Sequence, residues 1–167
     1  AGDNSIGRSY LAVERGILFL RHARVDAIAF KNHVIQARTL QRRGDSWQAC
    51  HQLLAADRLW HGQLMEGFDL SGGFFDRQGL FDELRFEQIE LLTGLGDSFC
   101  NVLDLEALLL QGLQADPIRE SFIKRLLALY RKQHDQVKQK RLLTQYQKSL
   151  QTEDFTPKEI NEIMRSL

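Results

Sequence analysis

The sequence predicts an all-α fold: amphipathic helices in antiparallel pairs, with one short β-hairpin near the N-terminal end. Three observations predict it. From Asp26 onward, apolar residues recur at helical spacing in seven successive stretches, whereas only Tyr10–Leu20 carries a strand pattern. The turn punctuation also recurs from one helix pair to the next.

In Tyr10–Leu20 (YLAVERGILFL), two short apolar runs flank Glu14-Arg15-Gly16, a hairpin signal in which glycine supplies positive φ. A lone two-stranded hairpin is marginal in water, so it must lean on something else. The first helix follows from the stripe Phe30, Val34, Ala37 and Leu40, and Gly44-Asp45 stops it. Asp45 with Gln48 resembles a capping box for a second helix whose face is Ala49, Leu53, Ala56 and Trp60, ended by Gly62. Residues 63–75 hold three glycines among large apolar side chains and read as an ordered loop, with Trp60, Phe74, Phe75 and Phe81 packing it. Leu80, Leu84, Leu91, Leu95 and Phe99 mark a long third helix, weakened at its far end by Gly94 and Gly96. Leu105, Leu108, Leu109 and Leu113 mark a fourth. Asp116-Pro117 reads as an N-cap with proline at N1, opening a fifth helix along Ile118, Phe122, Leu126, Leu129 and Tyr130. Val137, Leu142, Leu143, Tyr146 and Leu150 carry a sixth, and Thr156-Pro157-Lys158-Glu159 is a capping box for a last short helix through Ile160, Ile163 and Met164.

Each stripe must be buried against a neighbour, and the pairs repeat their punctuation. Gly44-Asp45, Gly96-Asp97 and His134-Asp135 occupy equivalent places, and Leu53–Asp57 is echoed by Gly112–Asp116. Helix–turn–helix units of roughly 34 residues are the tetratricopeptide pattern. Small residues at Ala49, Ala56, Ala107 and Gly112 suit close helix approach. Stacked pairs of this kind form a right-handed superhelix with a concave groove for an extended segment or a helix.

The 167 residues suffice for one domain, and at that length folding removes roughly 70% of the chain's surface from water, a core without metals or disulfides. With 43% hydrophobic and 26% charged residues and only two prolines, disordered, collagenous and disulfide-scaffold classes are excluded. No apolar run approaches the roughly 20 residues of a bilayer span, and Ala1–Ser9 offers no apolar stretch for a signal peptide. Cys50 and Cys100 each sit in an apolar-patterned segment and are expected as buried, reduced thiols. A cytoplasmic location is expected, with no membrane partner. The absent starting methionine suggests a processed chain or an excised piece.

No chemistry-bearing constellation emerges. His22, His33, His51, His61 and His134 lack metal-ligand spacing, and there is no HExxH or paired CxxC. Glu83, Glu87 and Glu90 share a helical face and read as a solvated edge beside Arg85. Asp97-Ser98 and His134 come without a nucleophile elbow. Gly72-Gly73 and Gly94-x-Gly96 precede no Lys-Ser/Thr and sit in no βαβ unit. We therefore expect no enzyme, and assign no catalytic, cofactor-binding or metal-binding residue and no cofactor.

Charge is patterned although the total is zero. Residues 1–44 carry +5, residues 45–118 carry −10, residues 119–151 carry +7 and the remainder −2. An acidic middle between basic flanks attracts either its own neighbours or another chain. A homodimer in which the −10 segment of one subunit meets the +7 segment of another is one expectation. Arg119, Lys124, Arg125, Arg131, Lys132, Lys138, Lys140, Arg141 and Lys148 make the fifth and sixth helices basic, but no helix here has a recognition-helix context for reading DNA bases.

Several stretches resemble the bacterial transcriptional activator domain, the module that follows an OmpR-type winged helix in regulators of the streptomycete antibiotic regulatory protein type. Asp26-Ala27-x-x-Phe30 with Ala37 and Gly44-Asp45 resembles its opening helix, and Leu59-Trp60-His61-Gly62 its Leu-Trp-x-Gly turn. Glu83-Leu84-Arg85 lies in the long helix. Leu113-x-Ala115-Asp116-Pro117-Ile118-Arg119-Glu120 is similar to its most recognisable stretch, followed by Ala128-Leu129-Tyr130-Arg131. Tyr146 and Thr156-Pro157-x-Glu159 match the closing helix. His134 departs from the pattern, standing where the third pair usually has glycine.

The resemblance implies that residues 1–24 are a linker and the residual wing hairpin of an upstream winged-helix domain, and that 25–167 are the tetratricopeptide-like activator domain. It implies a regulatory or oligomerisation module that mediates self-association or senses a partner and positions the attached winged helix, through which DNA is bound. The alternative is a stand-alone tetratricopeptide-like scaffold binding a peptide or protein, unrelated to DNA. A third reading, a small-molecule sensor, requires an apolar pocket that sequence does not display.

Overall fold

The computed structural model describes the backbone of residues 11–14, 17–20, 26–62, 74–96 and 105–167, and the side chains of 26–62, 78–96 and 105–167. Seven helices lie in these residues: α1 (Asp26–Arg42), α2 (Ser46–Asp57), α3 (Phe74–Leu95), α4 (Leu105–Ala115), α5 (Glu120–Lys132), α6 (Gln136–Thr152) and α7 (Pro157–Ser166). Two strands, β1 (Leu11–Glu14) and β2 (Ile17–Leu20), pair antiparallel with Leu11 opposite Leu20 and Glu14 opposite Ile17. The fold is all-α.

Local chemistry sets the turns. Gly44 has φ +81° and ends α1: its N–H donates to the Gln41 carbonyl at 3.0 Å and that of Asp45 to the Leu40 carbonyl at 3.0 Å. The α5–α6 turn repeats this double closure. His134, at φ +55°, donates from its N–H to the Arg131 carbonyl, and Asp135 donates to the Tyr130 carbonyl at 2.9 Å. Asp45 and Asp135 then cap the next helices by accepting the N–H of Gln48 and of Lys138. Gly96, at φ +73°, ends α3. Thr156 and Glu159 form the full capping box of α7, with Pro157 in its first turn.

Four expected boundaries move. α2 ends at Asp57 rather than Gly62, because the Leu59 and Trp60 N–H groups close tighter turns onto Ala56 and Asp57. Trp60 thus leaves the helix and packs on Phe30, with ring centroids 5.3 Å apart. α3 already begins at Phe74, inside the stretch expected as loop. It stops at Leu95, and the expected end at Phe99 lies outside the described residues. α5 begins at Glu120 with Arg119 as N-cap: the Asp116 carboxylate accepts the Ile118 N–H at 3.3 Å, folding 116–118 into a turn that delays the helix.

The main core runs from Ala37 to Ile160, with Leu53, Ile89, Leu92, Phe122, Ile123, Leu126 and Leu150 at its centre. A smaller cluster of Phe30, Val34 and Ala56 takes in Leu59, Trp60, Phe81 and Leu84. Trp60 and Phe81 pack against this cluster; the loop they were expected to pack, and the side chains of Phe74 and Phe75, lie outside the described residues. Cys50 is buried in the main core, and Cys100 lies outside the described residues. A Cβ at Gly112 would overlap the Phe122 ring, so glycine permits α4 to press onto α5. Ala49 and Ala56 are also buried, whereas Ala107 is exposed. Val137 departs from its expected stripe and is 78% exposed, because it lies about 140° around the helix from Leu142.

Successive helices pack on each other, and α1 also packs on α3 and α3 on α5. The first helices of the pairs therefore form one continuous layer. The second helices, α2, α4 and α6, pack on one another less.

Candidate interaction surfaces

The layer of first helices is cross-linked by charge. Arg38 on α1 makes a two-pronged ion pair with Glu87 on α3, its Nε donating at 2.6 Å. Arg119, at the start of α5, reaches Glu83 at 2.9 Å, Glu90 at 3.5 Å and Asp116 at 3.5 Å. Its guanidinium also lies 4.2 Å from the Phe86 ring centroid and 5.7 Å from that of Phe122. The Ser121 hydroxyl donates to Glu90 at 2.6 Å, and Arg125 donates to the Thr93 hydroxyl at 2.5 Å. The Arg119 guanidinium holds the Glu83 carboxyl below its ordinary range, while burial and the Glu83 charge push the neighbouring Asp82 up. Glu83 stays exposed, as a solvated edge would, but Glu83, Glu87 and Glu90 all bridge to arginines on neighbouring helices rather than to Arg85.

Arg85 turns the other way. Only 5% exposed, it donates to Asp57 at 2.7 Å, to Gln88 at 2.5 Å and to Gln111 at 2.7 Å, tying α2, α3 and α4 together. Its guanidinium stands 5.3 Å from the Trp60 ring, and the fully buried Gln88 amide donates to the Leu53 carbonyl at 3.2 Å. A buried cation needs such a set of acceptors, since an unpaired charge out of water is strongly disfavoured.

On the other side, Glu106 of α4 accepts Lys138 at 2.9 Å and the Tyr130 hydroxyl at 3.0 Å. Six of the nine basic residues of 119–151 are engaged: Arg119, Arg125 and Lys138 as above, Lys124 with Glu120, Arg131 with the Leu167 carbonyl, and Lys132. Lys140, Arg141 and Lys148 remain exposed and, among the described residues, form no ion pair. With Val137 and Thr144 they make one stripe along the outer face of α6, spaced at i, i+3, i+4, i+7 and i+11.

A comparison with known families settles what this scaffold is. The model of the bacterial transcriptional activator domain matches residues 25–159.

The chain belongs to that family.

No curated protein and no solved structure matches it. Within the activator domain, His33 bonds Gln52 at 2.7 Å, His51 packs tilted against the exposed Trp47 with ring centroids 4.2 Å apart, and His61 and His134 stand exposed, so the four described histidines do not converge. His22, Gly72-Gly73 and Asp97-Ser98 lie outside the described residues. Among the described residues no group of three His, Cys, Asp or Glu could hold a metal ion, and no helix is long and apolar enough to cross a membrane. Sequence reasoning missed Arg38 and the partners of Arg85, whose contacts span 49, 28 and 26 residues and leave no local signal.

Proposed function

We propose that this activator domain is the regulatory and contact module of a cytoplasmic bacterial transcription regulator, joined to a winged helix that binds DNA. On this reading the paired helices form a tetratricopeptide-like superhelix, the Leu11–Leu20 hairpin is the wing of the preceding domain, and the module works by contact rather than catalysis. The observation that carries it is the family match over residues 25–159. The contact layout supports it: first helices packed together and second helices apart curve a stack of pairs.

The contact surface is the outer face of α6. Among the described residues Lys140, Arg141 and Lys148 have no counter-charge, so they are available to an acidic partner or to an acidic surface of a second copy. The coding sequence upstream of Ala1 tests the reading. A helix-turn-helix encoded there, ahead of the Leu11–Leu20 hairpin, sustains it; its absence overturns it in favour of a stand-alone scaffold. Light scattering across a salt series tests self-association: a dimer at low salt that Lys140→Glu/Arg141→Glu dissociates is the expected result, and a monomer at every concentration removes it.

A further inference from the structure

We infer that the cavity between the end of α3, the start of α4 and the middle of α5 is a binding site for a small amphipathic carboxylate. Among the described residues, four arginines reach from one helix to another. Arg38, Arg85 and Arg119 each end on a carboxylate; Arg125 ends on the Thr93 hydroxyl, with no carboxylate within ion-pair distance among the described residues. The carboxylate that acts on it through space, Glu90, is held by Arg119 and Ser121. Burial lowers the proton affinity of the Arg125 guanidinium, the mark of a cation short of compensation.

The group is also fixed in place. Gly94 presents bare backbone to it: a Cβ there would stand 3.4 Å from one guanidinium nitrogen, and Thr93 takes one of its five N–H donors. Arg125 lines a cavity of about 470 Å³ whose walls include Leu105, Leu109, Ala128 and Leu129. That volume falls within the roughly 300–1,000 Å³ of ordinary small-ligand sites, and the mix of apolar walls with one oriented polar group is their usual make-up. A carboxylate offers the guanidinium fork two oxygens in its own plane, and an attached apolar body fills the walls. Inorganic anions have no body to bury there. The site requires neither DNA nor a protein partner, so it stands or falls separately from the regulatory reading.

The test is a titration of the protein with 2-naphthoate, followed by backbone amide resonances. We expect saturable shifts concentrated at Thr93, Gly96, Leu109 and Leu129, with a Kd on the order of 1 mM or tighter. Arg125→Gln is expected to weaken binding about tenfold or more. Ala128→Glu changes an exposed position and sets a built-in carboxylate one helical turn from Arg125; it should abolish binding while leaving the circular dichroism and Tm of the parent. The cationic analogue 2-naphthylmethylammonium should not bind this cavity. Equal affinity in Arg125→Gln and Ala128→Glu, equal binding of the cationic analogue, shifts that map elsewhere, or no saturation below about 10 mM would each overturn the assignment.

Discussion

The layer of first helices and the outer face of α6 use the same residue types to opposite ends. Between α1, α3 and α5, Arg38 and Arg119 are answered by Glu87, Glu83, Glu90 and Asp116, and Arg119 is further pinned on Phe86. On α6, Lys140, Arg141 and Lys148 look outward without a counter-charge among the described residues. A charge total cannot separate these two cases. Part of the −10 segment meets its basic flanks inside one molecule, as in Arg38–Glu87 and Lys138–Glu106, so their opposite signs do not by themselves require a second chain.

Substitutions on the two sides should therefore differ in size. The largest effect belongs to Arg85→Leu, which strands Asp57 and the buried Gln88: we expect a loss of about 3 kcal/mol, a fall in Tm on the order of 10 °C by calorimetry. Arg119→Ala should cost about 2 kcal/mol through lost packing on Phe86 and lost charge-assisted bonds. It should also reshape the acid limb of the stability curve. Glu83 is held below its ordinary value by Arg119, so its contribution is present above about pH 4.3 and is lost as pH falls through the lowered folded value. Removing Arg119 should make that limb shallower. Asp82 runs the other way: its raised value opposes folding at neutral pH, and the opposition fades as pH falls through that value. Denaturant titrations from pH 7 to pH 3 on parent and variant would show both trends. The smallest effect belongs to α6: Lys140→Gln, Arg141→Gln and Lys148→Gln should each alter stability by less than about 0.5 kcal/mol. A larger loss at any of the three would mean that the face is structural, erasing the contrast.

How much of this was legible in the sequence depends on the range of each interaction. Helix stripes and caps are local, so Phe30–Val34–Ala37, the Asp45 cap and the Thr156–Glu159 box could be read from spacing alone. The start of α3 at Phe74 could not, because glycines on either side of it resemble loop punctuation. Nor could the start of α5, where an aspartate–proline pair that often opens a helix folds a preceding turn instead. Val137 was misjudged because one apolar letter near a stripe does not reveal its angle around the helix. The surfaces were least legible. Whether Glu87 is solvated or bridged depends on Arg38, 49 residues away, and only the packing of α1 on α3 joins them.

The turn at His134 carries a last consequence. It reproduces the hydrogen-bond closure of the Gly44 turn with a side chain in the left-handed region, where most residues other than glycine are strained. What the first and third pairs have in common at that hinge is a torsion angle rather than an amino acid. A duplicated unit that preserves shape in this way can lose its letters over generations while its copies still superpose, and the count of its copies is better taken from dihedral angles than from aligned residues.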